Sequence, residues 1–221
     1  MDLVELINYA IYSRTKEPPR KYIGASTIGR ACDRAIWYGF NDEPGGETPS
    51  TLQRIFDVGH QLEGLLLDYV ELTGLHVERP SEKNNMLFVR DSEVPILQGH
   101  MDGVLHIDEA AHVVLELKTA NNNSFQKFQK NGFRAWSESY YAQVQAYMGM
   151  SGLSQAVVLV INKDNAELHH QWVQFDSCHY ELLRRRARNI SEAAMPPDRI
   201  NRSPLYVVCK RCQFKEVCHG N

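Results

Sequence analysis

The sequence has no run approaching the roughly 18 apolar residues that a membrane span needs, and no helical or strand repeat. It has no low-complexity tail, and its start, Met1-Asp2-Leu3-Val4-Glu5-Leu6, lacks the basic and apolar blocks of a signal peptide. A cytoplasmic protein with no membrane partner is the expectation. Positive charge is also scarce: the formal net charge is -3, which excludes a protein that coats nucleic acid by bulk electrostatics. A cleft with local positive charge stays open, with Arg184-Arg185-Arg186-Ala187-Arg188 and Lys127, Lys130 and Arg134 as candidate phosphate contacts or merely solvated helix faces. Cysteines are few, five in all, which in an intracellular chain favours metal ligands or free thiols over disulfides.

What is present is one sizeable core's worth of chain: 221 residues, 43% hydrophobic and 23% charged. Leu3, Leu6, Ile7, Ala10 and Ile11 predict an opening amphipathic helix. Thr15 to Lys21 reads as a loop. Ser26 is placed to cap a second helix that holds Cys32 and runs toward Trp37 and Tyr38. Asn41 to Ser50 is an exposed connection, and a long helix from about Leu52 to Leu72 follows, stopped by Gly74. Its apolar stripe (Leu52, Ile55, Phe56, Gly59, Leu62, Leu66, Tyr69, Val70) contains Glu63, with His60 a turn earlier. Strands are expected at Leu75 to Glu78, Met86 to Arg90, Gln98 to Leu105 and Val113 to Thr119. Asn121 to Ser124 reads as a loop, Ser139 to Met150 as a helix ended by Gly152, and Val157 to Ile161 with Leu168 to Phe175 as paired strands. Asp176 caps a last helix to about Ala194. The class is α/β, one mixed sheet flanked by helices.

The chemistry concentrates on two neighbouring strands. A turn at Asp108-Glu109-Ala110-Ala111 sets Asp102 opposite Glu116, and the period of two puts Lys118 on the same face. Opposed residues have β-carbons about 4.5–5.5 Å apart, and like charges there are destabilising. A divalent cation that prefers oxygen makes such a pair favourable. His100 and His106 share the strand face and are weaker ligand candidates.

These residues resemble the PD-(D/E)XK nuclease superfamily, in particular its RecB-like branch. The motifs stand as Gly59-x3-Glu63, Gly99-His100-Met101-Asp102, Glu116-Leu117-Lys118 and Gln143-x3-Tyr147, in the family's order, over roughly Ser26 to the end of the chain. Many RecB-like members carry a histidine where this chain has Glu63; other branches, including phage recombination exonucleases, carry a glutamate. The resemblance implies a restriction-endonuclease-like core. It implies Mg²⁺ or Mn²⁺ held by Asp102, Glu116, Glu63 and the Leu117 carbonyl, with Lys118 orienting water and stabilising charge and with Gln143 and Tyr147 positioning phosphate or base. For Glu63 the alternative is a carboxylate paired with an arginine; for Tyr147 it is a core aromatic.

Cys32 with Cys209-x2-Cys212-x5-Cys218 resembles the iron–sulfur clasp of RecB-like nucleases, including the CRISPR-associated type, and implies a [4Fe–4S] cluster; four thiolates also suit zinc. Cys178 reads as a spectator. The whole implies a single nuclease domain over 1–221, core about 51–176, clasped by 22–40 and 177–221. Its substrate would be single-stranded DNA or duplex ends, cut as an exonuclease, and its protein partners of recombination or CRISPR type. An endonuclease, or a non-catalytic DNA-binding subunit, remains the alternative; oligomeric state is not legible.

Overall fold

A computed structural model of the chain describes residues 2–14 and 20–220; Thr15 to Pro19 of the expected first loop lie outside them. Helix α1 (Leu3–Tyr12) is capped by Asp2, whose carboxylate accepts from Val4 N at 2.8 Å. It buries no residue. The expected second helix is two. Strand β1 (Ile23–Gly24) leads into α2 (Ala25–Ile28), Gly29 ends it, and Cys32 is the N-cap of α3 (Asp33–Phe40) rather than a helical residue. Ser26 sits inside α2, so it is not the cap. Helix α4 (Ser50–Glu71) matches the long helix expected, but only Leu66 and Leu67 are buried; Leu52, Ile55 and Phe56 on the same stripe stay exposed.

Strands β2 (His76–Glu78), β3 (Phe88–Arg90), β4 (Leu97–His100), β5 (Gly103–His106) and β6 (His112–Ala120) follow. The segment read as one strand through Asp102 is therefore broken at Met101 and Asp102. The break is a change of sheet. One sheet has the order β1-β4-β3, the other β2-β5-β6-β7-β8, where β7 is Gln155–Asn162 and β8 Leu168–Gln174. Two sheets replace the single one expected. The larger is mixed: β5 and β6 are antiparallel, β6 and β7 parallel.

A parallel pair needs a crossover, made here by α5 (Asn122–Asn131), α6 (Phe133–Trp136) and α7 (Glu138–Ser151). The asparagine run is thus the start of α5, not a loop: Asn121 caps it, accepting from Ser124 N at 2.9 Å, and Phe125 and Phe128 anchor it in the core. Gly152, with φ +75°, closes α7 in the left-handed conformation. Asp176 caps α8 (Ser177–Glu192) as expected, and the chain finishes through α9 (Val207–Lys210) and α10 (Lys215–His219). Among the described residues no helix is long and apolar enough to cross a membrane.

The period of two in β6 divides the interior. Val113, Leu115 and Leu117 pack with Leu66 and Leu67 of α4, whereas Val114 joins Val158, Val160 and the buried face of α7. Glu116 and Lys118 therefore point to the α7 side. Fully buried Gln145 fastens α7 to the end of β8, donating to Gln174 O at 2.9 Å and accepting from Asp176 N at 2.8 Å.

Part of the arginine run on α8 is structural. Arg184 is buried, its Nε 2.9 Å from Asp91 Oδ2, with Glu93 and Glu181 on its other nitrogens. Burial pushes the Asp91 carboxyl up, but the Tyr180 hydroxyl, the Val94 and Glu93 amides and Arg184 outweigh it and hold the group below its usual range. A depressed carboxyl stabilises the fold above its unfolded pKa, about 3.9, and that contribution is lost as pH falls through the folded value. Arg184→Met, which leaves the Asp91 charge buried without its cation, is expected to cost about 3–5 kcal/mol at neutral pH by urea denaturation. The gap to the parent should narrow on acidification below the usual carboxylate range.

Candidate active site

The registered pairs of β5 and β6 end at Gly103 with Leu115. One residue further, where Asp102 would face Glu116, β5 has already given way to the bend between sheets. The bend lets the Asp102 side chain fold over the end of the pairing, where Oδ2 accepts from Leu117 N at 2.9 Å. Lys118 Nζ lies 3.9 Å from that oxygen and in direct ion-pair contact with Glu116 Oε1. The structure thus gathers Asp102, Glu116 and Lys118 at one point.

Glu116 is the unusual member. Its side chain is 0% exposed. Lys118 sits against it, yet neither carboxylate oxygen accepts a well-directed hydrogen bond. Burial, and then the charge of Asp102, push its pKa well up against the pull of Lys118. Lys118 has the reverse balance: burial lowers it, but Glu116 and Asp102 prevail and hold the ammonium above its usual range. Its Nζ also donates to the Leu117 carbonyl at 3.2 Å and stands 5.2 Å from the centre of the Tyr140 ring.

Glu63 reaches the same point from α4. It lines a cleft of about 780 Å³ with His60, His100, Asp102 and Leu117. Among the described residues it forms no ion pair with an arginine, although Arg20 and Arg79 line the same cleft, and burial, then the charge of Asp102, raises its pKa against the pull of Lys118. From the opposite side, Gln143 Nε2 donates to the Tyr147 hydroxyl at 3.2 Å. Tyr147 is 4% exposed and part of the main core. Burial, then Glu116 and Asp102, raise the pKa of its hydroxyl, so the ring is a core aromatic whose polar end faces the acids. His100 stays near the site, its Nδ1 3.1 Å from Met86 O. His106 lies on the same sheet face but opposite His112, four residues before Glu116, and its ring sits edge-to-face between His76 and His112.

The four candidate cysteines also meet. Cys32, Cys209, Cys212 and Cys218 line one cavity with Tyr38 and Phe214. Burial, then the neighbouring cysteines, raise the pKa of Cys209; Cys212 is raised by burial too, against an amide contact from Phe214. Cys178 is exposed and apart. As the side chains lie, no three of the described His, Cys, Asp or Glu close around a point in a way that holds a metal ion.

Gly99, which opens the motif that ends at Asp102, has a packing role the motif alone does not show: a β-carbon there would lie 2.6 Å from Tyr147 Cε1 and 3.0 Å from Ala25 Cβ. The glycine is what lets the Tyr147 ring approach β4 so closely. Tyr140 is a participant that the sequence reading missed; its place three residues before Gln143, on the same helix face, is the signal that could have found it. Gly99→Ala is expected to force Tyr147 aside and cost about 1–3 kcal/mol through overpacking, read as a drop in thermal midpoint. Pairing it with Tyr147→Leu should recover part of that loss.

Comparison with known proteins follows this geometry. Among solved structures the chain is similar to an alkaline exonuclease, LHK-Exo, from Laribacter hongkongensis, with 14% identity and a TM-score of 0.56 over 85% of this chain and 90% of that one. The same protein in complex with dAMP aligns with 13% identity and a TM-score of 0.57 over the same shares. SSO0001 aligns over 99% of this chain and 96% of its own, with 16% identity and a TM-score of 0.57. At such identities the likeness is one of fold. No curated protein sequence matches. Residues 17–154, well over half of the chain, match the YqaJ-like viral recombinase domain. In keeping with its PD-(D/E)XK motifs, the chain belongs to the YqaJ-like viral recombinase family.

Proposed function

We propose that this chain is a metal-dependent deoxyribonuclease, an exonuclease acting on single-stranded DNA or duplex ends in the cytoplasm of a prokaryotic or phage-infected cell. The observation that carries the reading is the Glu116 carboxylate, wholly buried beside Asp102 with both oxygens lacking directed donors. Lys118 neutralises one charge at Oε1, but two carboxylates meet there, and the buried pair is costly unless further cationic charge completes it. Family membership and the fold shared with an alkaline exonuclease seen with dAMP support the same reading.

The donor set fits a hard divalent ion: Asp102, Glu116, the Leu117 carbonyl and, for a second ion, Glu63. Mg²⁺ or Mn²⁺ held there would supply Lewis acidity toward a phosphoryl oxygen and a more acidic bound water. Lys118 contributes a fixed positive charge beside the acids, suited to a phosphate that gains charge during cleavage. Gln143 and Tyr147 form a hydrogen-bonded pair beneath it that can fix the position of the phosphate or of its water. The domain is single, 1–221, with its core over about 51–176 and its ends, 22–40 and 177–221, brought together at the cysteines.

That cysteine cavity is proposed to hold a structural [4Fe–4S] cluster, with tetrahedral zinc the alternative. Four thiols from distant parts of the chain opening on one cavity support a clasp; a cationic centre would relieve the burial that keeps Cys209 and Cys212 protonated.

Two tests follow. End-labelled linear and circular single-stranded DNA, incubated with Mg²⁺, Mn²⁺ or EDTA, should show loss of linear DNA only, in metal only. Asp102→Ala should lower the rate roughly a thousandfold or more, since the Lewis acidity of a bound ion is worth several kcal/mol. Cut circles would make the protein an endonuclease, and silence a binding module. For the clasp, anaerobically purified protein should be brown with iron and acid-labile sulfide, and Cys32→Ala should lose both along with several degrees of thermal stability. A colourless, zinc-bearing protein would assign zinc, and metal-free protein of full stability would remove the clasp.

A further inference from the structure

The nuclease reading requires positive charge facing DNA, and the arginines of α8 do not all supply it. Arg184 is held by Asp91, Glu93 and Glu181. Arg186 pairs with Asp33 and donates to the Ile28 carbonyl at 2.6 Å. Both tie the helix to the N-terminal region.

Cations do converge elsewhere. A groove of about 700 Å³ opens between the first half of α4 and the cysteine-bearing end of the chain. Phe56 of α4 and Ser139 of α7 form one part of its lining, and Arg30, Lys210, Arg211 and Lys215 the other. Two carboxylates, Glu47 and Glu216, share the wall, leaving it positive in a chain whose net charge is -3. Lys210 and Arg211 are exposed. Phe56 is 47% exposed, although it belongs to the stripe that further along α4 is core.

Both walls run to the acidic site. On α7 the residue after Ser139 is Tyr140, whose ring centre is 5.2 Å from Lys118 Nζ. On α4, Glu63 stands seven residues, two helical turns, beyond Phe56 and lines the cleft that holds Asp102. The elements that line the groove, α4 and α7, thus also carry residues of the acidic site. An exposed ring among cations, in a groove between elements that also carry the acidic site, has the chemistry that grips a single strand: phosphates on the cations, a base on the ring.

We infer that this groove holds the single-stranded DNA adjoining the scissile phosphate, with its backbone on Lys210, Arg211, Arg30 and Lys215 and a base stacked on Phe56. The cysteine segment is then a wall of the substrate channel as well as a clasp. The inference rests on the nuclease reading for its direction, but binding is measurable without cleavage.

The test uses the whole metal-loaded protein and a fluorescein-labelled oligothymidylate about 20 nucleotides long, titrated by anisotropy without added divalent ion across a range of salt. Lys210→Gln with Arg211→Gln should weaken binding and lower the salt slope by about 1.4, the share of two single-strand phosphate contacts. Phe56→Ala should weaken it roughly fivefold or more with the slope unchanged. Lys83→Gln with Lys163→Gln, an equal change of charge at exposed positions outside the groove, should alter neither. Hydrolysis of the p-nitrophenyl ester of thymidine 5′-phosphate, too short to enter the groove, should keep the parent rate in all these variants. Iron or zinc content is measured in each sample; if the first pair disturbs it, Arg30→Gln with Lys215→Gln takes its place with the same expected slope. Unchanged affinity and slope in the groove variants, or an equal loss in the Lys83 and Lys163 pair, overturns the proposal. A parent that binds the oligonucleotide yet never hydrolyses the ester defeats the nuclease reading and leaves the groove decided by the anisotropy.

Discussion

The molecule is organised around a carboxylate that water cannot reach. Glu116 lies on the central strand of the larger sheet, fully buried, with an ammonium against one oxygen and a second carboxylate close by. A charge in that position is tolerated only where its surroundings are fixed. Each neighbour is accordingly held in turn: Asp102 by the Leu117 amide, Lys118 by the Leu117 carbonyl, and the Tyr147 hydroxyl by Gln143. The backbone of one residue, Leu117, thus orients both charged partners, while its side chain anchors the strand on α4.

Much of this arrangement was legible because it rests on strand periodicity and turn chemistry. Asp108 accepts from the Ala110 and Ala111 amides, and the hairpin it closes has the register that sets residue 102 against residue 116. What could not be read was that the strand stops before Asp102. The run Gln98 to Leu105 alternates well enough to pass for one strand; its division between two sheets comes from β4 pairing with β3 and with β1, a two-residue strand from far away in the chain. Helix α5 was hidden for a local reason. Asparagines are poor helix formers, and it is the Asn121 cap together with the burial of Phe125 and Phe128 that supports the helix.

The long helix illustrates the opposite limit. Its apolar stripe was read correctly as a helical face, but periodicity cannot say how much of a face is covered. The half nearest Glu71 packs on the sheet; the half nearest Ser50 remains open and walls the groove, beside α1, which buries nothing either. The arginine run on α8 shows the same ambiguity with the sign reversed. A row of cations reads as a surface for an anion, yet two of its members are pinned to acids and carbonyls of the protein itself. Composition distinguishes neither case, because the deciding partners lie far away in sequence.

The change of sheet at Met101 and Asp102 has a mechanical consequence. One acid rides on the bend that joins the two sheets, the other on a strand that belongs to only one of them. Any relative slip of the sheets would alter the gap between the carboxylates directly, with no intervening loop to absorb it. The spacing of the two acids is in that sense a strain gauge for the seam between the layers, and a substitution remote from both could detune the site merely by loosening that seam.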